Sequence, residues 1–84
     1  MIIKILGSGC KNCVKLLENT EAALKDTGMQ ADIVKITDFA EIMTFGVMST
    51  PALVIDDKVV SYGRVLKAKE IVDFLENLTT VHHQ

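Results

Sequence analysis

Apolar residues recur along the chain with two periods, one typical of strands and the other of helices. Runs rich in β-branched and other apolar residues predict four strands, over residues 1–6, 31–36, 51–55 and 58–62. Apolar residues three or four positions apart predict three helices, over residues 10–27, 38–45 and 67–78. This βαβαββα order predicts an α/β domain in which a parallel βαβ unit joins an antiparallel hairpin. We expect the strands to form a mixed four-stranded sheet with helices on both faces.

The first two predicted helices have recognisable faces and ends. In the first helix one side is apolar, formed by Cys13, Leu16, Leu17, Thr20, Ala23 and Leu24. In the second, Asp38 and Glu41 are spaced as in a capping box, and Gly46 follows the last turn. We expect Phe39, Ile42 and Met43 to form the buried side of this short helix.

Length and charge restrict the classes of function. The 84 residues suffice for one domain, which we place at residues 1–78, with residues 79–84 as a disordered tail. No apolar run approaches the roughly 18 residues of a membrane span, and Lys4 interrupts the apolar start, so we expect a cytoplasmic protein without a membrane partner. The net charge of −2 and the scattered lysines argue against nucleic-acid binding. A monomer is expected.

The two cysteines of the chain, Cys10 and Cys13, lie three positions apart. A structural disulfide stabilises mainly by closing a long loop in the unfolded chain, so a pair this close is a poor structural link. In a reducing compartment the same spacing indicates metal binding or redox chemistry.

The predicted junction of the first strand and first helix gives the two sulfurs different environments. Cys10 is expected at the helix N-cap, where unpaired N–H groups and the helix dipole favour an anion by about 0.3–1 kcal/mol. Lys11 adds a positive charge, although a solvated surface lysine explains it equally well. Both effects favour the reactive thiolate at Cys10, whereas Cys13 lies on the apolar face. This difference suits a two-step exchange in which Cys10 attacks and Cys13 resolves the mixed disulfide.

The single proline stands in the segment Ser49-Thr50-Pro51-Ala52, at the start of the third predicted strand. Proline is tolerated there because it removes a ladder donor only at the end of the strand. If the Thr50–Pro51 bond is cis, the backbone of Thr50 is presented beside the cysteines as an edge for a substrate strand.

The chain resembles the small thioredoxin-like and glutaredoxin-like redox proteins of bacteria and archaea, in particular the compact redox-active disulfide proteins. The shared segments are Gly9-Cys10-Lys11-Asn12-Cys13, residues 46–53 and Gly63-Arg64, and the resemblance covers about residues 1–78. It implies a thioredoxin-like fold, an attacking Cys10, a resolving Cys13 and a cis Pro51. Lys11-Asn12 stands where thioredoxin proper has Gly-Pro. The Gly-Gly and Asp with which glutaredoxins hold glutathione have no counterpart.

We therefore interpret the chain as a protein-disulfide oxidoreductase whose redox group is the Cys10–Cys13 disulfide, with no other cofactor and no metal. Its expected partners are a disulfide-containing protein, and a reductase or low-molecular-weight thiol as electron donor. Two alternatives remain at this stage. The paired thiolates of a carrier would bind a soft metal or metalloid ion. A non-enzymatic module would dock a partner at the sheet edge without using the cysteines.

Overall fold

The computed structural model describes residues 1–9 and 11–80, and Cys10 and residues 81–84 lie outside the described part. Its seven elements follow the predicted order, and their bounds are β1 Ile2–Leu6, α1 Lys11–Thr27, β2 Asp32–Ile36, α2 Phe39–Thr44, β3 Ala52–Ile55, β4 Lys58–Tyr62 and α3 Ala68–Thr80. Helix α3 continues two residues past its predicted end, to Thr80, and the rest of the predicted tail, residues 81–84, lies outside the described residues.

The four strands form one sheet in the order β2-β1-β3-β4. Strand β1 pairs with β2 in parallel and with β3 antiparallel, and β3 pairs with β4 antiparallel. The predicted mixed sheet of an α/β domain is therefore confirmed. Two consecutive residues with positive φ, Asp56 (48°) and Asp57 (68°), form the hairpin turn between β3 and β4, as expected for a two-residue connection.

Strand residues alternate between two hydrophobic clusters, one on each face of the sheet. Along β3, Leu53 and Ile55 pack under α1 and α3, whereas Ala52 and Val54 pack toward α2. We call the first the two-helix face and the second the one-helix face. All four of these side chains are fully buried, which explains why β3 is an unbroken apolar run.

The prediction for the buried side of α2 is wrong for two of its three residues. Asp38 caps the helix as expected, since its carboxylate accepts a hydrogen bond from the Glu41 N–H (3.3 Å). Ile42 is buried, but the side chain of Phe39 is 73% exposed and that of Met43 is half exposed. A helix of six residues has room for little more than Ile42 over the sheet.

Among the described residues, no helix is both long enough and apolar enough to cross a membrane.

Candidate active site

The loop between β1 and α1 consists of Gly7, Ser8, Gly9 and Cys10, of which Cys10 lies outside the described residues. The Gly7 N–H donates a hydrogen bond to the Ile36 carbonyl (2.9 Å), which holds the loop to the end of β2. Gly9 has a φ of +88°, a conformation that side chains rarely adopt. Helix α1 begins at Lys11, the residue that follows Cys10 in the sequence.

Cys13 is the third residue of α1, and its side chain is 5% exposed. It belongs to the buried side of this helix together with Leu16, Thr20 and Ala23, so the predicted apolar face is confirmed for these residues. Thr20 satisfies its hydroxyl within the helix by donating to the Leu16 carbonyl (2.7 Å). The sulfur of Cys13 is therefore held by a well-packed helix.

Gly7 brings Cys13 and the proline segment together. A methyl group added to Gly7 would overlap the Cys13 Sγ and would lie 3.8 Å from the Cα of Pro51. The absence of a side chain at this position lets helix α1 and the proline segment approach the end of β1 from two sides. No sequence motif marks Gly7, because its role depends on residues that lie far away in the chain.

The Thr50–Pro51 peptide bond is cis. The Pro51 carbonyl accepts a hydrogen bond from the Gly63 N–H (2.9 Å), and a methyl group on Gly63 would lie 3.1 Å from the Cβ of Ser49. Thr50 is exposed, and within residues 1–9 and 11–80 no hydrogen bond joins its backbone to another residue. The segment around Pro51 is thus anchored at its strand end, while the Thr50 backbone is accessible to a bound chain.

An apolar groove of about 370 Å³ lies beside Thr50, between α2 and the segment that precedes Pro51. We call it the methionine groove, and its most exposed apolar residues are Phe39, Met43 and Met48. Met48 is 86% exposed. Contiguous exposed apolar side chains are typical of interaction sites. The sequence pattern had placed Phe39 and Met43 on the buried side of α2, so their exposure in this groove was not predicted.

Lys4 in β1 and Lys11 in α1 lie on either side of the loop that joins these two elements. Lys11 is exposed at the first position of α1. Lys4 lies on the one-helix face, where its Nζ is 3.5 Å from Asp57 Oδ1 and 5.2 Å from the centre of the Phe45 ring. Because Cys13 packs on the two-helix face, the Lys4 ammonium is separated from it by the sheet.

Comparisons with known proteins agree with this geometry. A family model described as thioredoxin domain matches residues 1–76. A thioredoxin of Methanocaldococcus jannaschii is 36% identical over 77 residues, which cover 92% of this chain and 88% of that protein. A thioredoxin of Methanothermobacter thermautotrophicus is 36% identical over 75 residues, covering 89% and 97%.

A solved structure, thioredoxin 1 from the thermophilic eubacterium Thermosipho africanus TCF52B, matches with a TM-score of 0.66. The match covers both chains completely at 13% sequence identity, and it confirms the thioredoxin-like fold. The family model matches residues 1–76, and two thioredoxins are 36% identical over nearly the whole chain. This chain therefore belongs to the thioredoxin domain family of redox proteins.

Proposed function

We propose that Cys10 and Cys13 form a dithiol–disulfide couple with which this protein reduces or exchanges disulfides of other proteins. The observation that carries the proposal is the convergence at Gly7, where the Cys13 sulfur and Pro51 approach the same point. Cys10 precedes the first residue of α1, so the helix dipole and the Lys11 charge favour its thiolate. The burial of Cys13 leaves Cys10 as the attacking sulfur.

The reaction has two exchange steps. The Cys10 thiolate attacks one sulfur of a substrate disulfide, the substrate S–S bond breaks, and one substrate sulfur leaves as a thiolate. Cys13 loses its proton and attacks Cys10 Sγ, which releases the second substrate thiol and forms the Cys10–Cys13 disulfide. The substrate gains two electrons and the protein loses two, so a reductase or a small thiol must restore the dithiol.

The substrate binds across Thr50 and the methionine groove. An extended segment of the substrate pairs with the Thr50 backbone, which has no hydrogen bond to the described residues. An apolar side chain of the same segment occupies the groove next to Met43 and Met48. Binding of this kind selects substrates by backbone geometry and apolar contact, which suits an exchange protein with several protein substrates.

A redox titration with dithiothreitol buffers tests the couple, with Cys10→Ser and Cys13→Ser as variants. The wild-type protein should show one two-electron transition that both variants lack. Cys13→Ser should also accumulate a mixed disulfide with a protein substrate such as insulin, because the resolving sulfur is gone, whereas Cys10→Ser should not. Absence of a transition in the wild type, together with equal alkylation rates of both thiols, would contradict the proposal.

The same preparations separate this function from a soft-metal carrier. Among the described residues, no group of three or more His, Cys, Asp or Glu side chains is placed to bind a metal ion. Titration of the reduced wild type and of Cys10→Ser with Cu(I) against a competing chelator measures the part of the binding that depends on the paired cysteines. Tight one-to-one binding without a redox transition would favour the carrier.

A further inference from the structure

A second, smaller cavity reaches Cys13 from the side opposite the methionine groove. We call it the cysteine pocket. It measures about 180 Å³ and is lined by Gly7, Gly9, Cys13, Val14, Lys35 and Thr37, with Ile5 and Leu17 on its apolar side. Ser8 lines the groove while its two neighbours line the pocket, and Thr37 borders both cavities. The loop before Cys10 therefore lies between two cavities of different size.

Lys35 gives the cysteine pocket its charge. It pairs with Ile5 in the parallel β1–β2 register, so the alternation of strand residues places it on the two-helix face, the face on which Cys13 packs. Among the described lining residues it is the only cation, and none of them carries a carboxylate. Its side chain is exposed, which leaves the ammonium available to a ligand.

We propose that the cysteine pocket admits small anionic thiols and disulfides to the sulfur of Cys13, with Lys35 attracting their negative charge. The use of such a thiol as electron donor rests on the function proposed above. The pocket has about half the volume of the groove, so it accommodates a small molecule, whereas the open groove beside Thr50 accommodates a polypeptide. The two redox partners would then approach the couple from opposite sides of the loop.

The reduction step is balanced with two equivalents of the small thiol. A thiolate RS⁻ attacks Cys13 Sγ of the oxidised protein, the Cys10–Cys13 bond breaks, and Cys10 leaves as a thiolate. A second RS⁻ attacks the sulfur of R in the mixed disulfide, which releases the Cys13 thiolate and RSSR. The two small thiols lose two electrons and the protein disulfide gains them.

Access to Cys13 is tested in a Cys10→Ser background, where only one thiol remains. Its thiolate attacks a small disulfide, one half of which stays on Cys13 while the other leaves as a thiolate, and mass spectrometry follows the product. The probes are dithiodiglycolate, which is anionic, 2-hydroxyethyl disulfide, which is neutral, and cystamine, which is cationic. Rates are normalised to those of 2-mercaptoethanol with the same disulfides, so that intrinsic reactivity cancels.

We expect the normalised rate to be about two- to fivefold higher for the anionic than for the neutral disulfide, the factor that one exposed charge pair contributes at low ionic strength. Cystamine should react more slowly than either. Lys35→Gln should remove the preference and Lys35→Glu should invert it. Lys25→Gln and Lys25→Glu make the same changes in net charge at the far end of α1 and should retain it.

Three results would overturn the proposal: no anionic preference, a preference that the Lys35 variants leave unchanged, or an equal loss in the Lys25 variants. Failure of Cys13 to react with any small disulfide until the protein unfolds would do so as well. The assay needs only one cysteine, so it reports on the pocket even if the wild-type protein has no Cys10–Cys13 couple. A normal couple without the Lys35 effect would leave the proposed function intact and remove only this inference.

Discussion

Helices α1 and α3 cover one face of the sheet, whereas the short helix α2 covers only part of the other. On the two-helix face, Leu16, Leu53 and Ile71 are completely buried in one continuous cluster. On the one-helix face, a smaller cluster around Leu6 and Ile42 borders the exposed side chains of the methionine groove. The comparison indicates that one face supplies most of the stability and the other is left open for binding. The candidate active site lies where they meet, at Gly7.

Matched isoleucine truncations test this difference most strongly. Ile71→Ala removes a completely buried side chain of the two-helix face, and we expect it to lower the free energy of unfolding by about 3–5 kcal/mol. Ile42→Ala removes a side chain that is 6% exposed and lines the groove, so neighbouring groups and water can fill the space. We expect a loss of about 2 kcal/mol there. Urea unfolding of both variants gives the values.

An equal or larger loss for Ile42→Ala would mean that the one-helix face stabilises the fold as strongly as the other. The interpretation that α2 serves mainly as one wall of a binding groove would then be wrong.

Gly7→Ala tests the boundary between the two faces. The added methyl group would overlap the Cys13 Sγ, so the helix or the loop must shift. We expect a loss of about 1–3 kcal/mol in the free energy of unfolding, together with a loss of disulfide exchange measured by insulin reduction.

Gly46→Ala is the control for Gly7→Ala. A methyl group at Gly46 meets nothing within 4 Å, but the residue has a φ of +74°. We expect a cost of about 1–2 kcal/mol from the backbone conformation, with exchange activity retained. Normal activity in Gly7→Ala would show that close packing at this point is not needed for the reaction.

The periodicity of the sequence predicted the two-helix face better than the one-helix face. Cys13 and Leu16 repeat with the helical period over a long helix, and the packing of α1 follows from that pattern. In α2 the pattern of Phe39, Ile42 and Met43 is equally regular, but six residues span too little of the sheet for all three to be covered. Periodicity shows that residues share a side of a helix, and the extent of the neighbouring surface decides whether that side is buried.

The candidate site was predicted only where its residues are close in sequence. The Cys-x-x-Cys segment has a local signature, and the cis Thr50–Pro51 bond was implied by the family resemblance of the segment around Pro51. Gly7 and Lys35 have no such signature, because they reach Cys13 only through the parallel pairing of β1 with β2 and the position of α1 on the sheet. Their contribution depends on strand register, which no short motif encodes.

Polar substitutions in the methionine groove should separate binding from stability. We expect Met48→Gln and Met43→Gln to change the free energy of unfolding by less than about 0.5 kcal/mol, since both side chains are exposed. Loss of their apolar contacts should raise the KM for a protein disulfide about three- to tenfold. The rate with 2-hydroxyethyl disulfide should not change. Steady-state kinetics with the two substrates makes the comparison.

Val34→Gln is the matched control for the groove variants, because Val34 is an exposed apolar residue of β2 that does not line the groove. Its KM should equal that of the wild type. An unchanged KM in Met48→Gln and Met43→Gln would show that the groove does not contact the substrate.

The smallest expected effect concerns the side chains that bind the first turn of α2, on the one-helix face, and of α3, on the two-helix face. Helix α2 is capped by the carboxylate of Asp38 at its N-cap position. At the start of α3 the carboxylate comes from Glu70, inside the helix. It accepts a hydrogen bond from the Lys67 N–H (3.0 Å) and pairs with Arg64 (2.9 Å). The Lys67 backbone N–H is the main cause that lowers the pKa of Glu70 below its ordinary value of 4.5, and the Arg64 charge adds to it.

Glu70→Gln tests this contact through its pH dependence. Because the pKa of Glu70 is lower in the folded than in the unfolded protein, its ionised form stabilises the fold above pH 4.5, and that contribution is lost as the pH falls through the lowered value. Wild type should therefore unfold at a higher urea concentration than Glu70→Gln at neutral pH, and the difference should shrink as the pH falls below 4.5. Asp73→Asn, an exposed residue one turn further along α3, controls for the loss of one negative charge. A difference that stays constant with pH would show that Glu70 acts only through its shape, and the start of α3 would then depend on packing against the two-helix face alone.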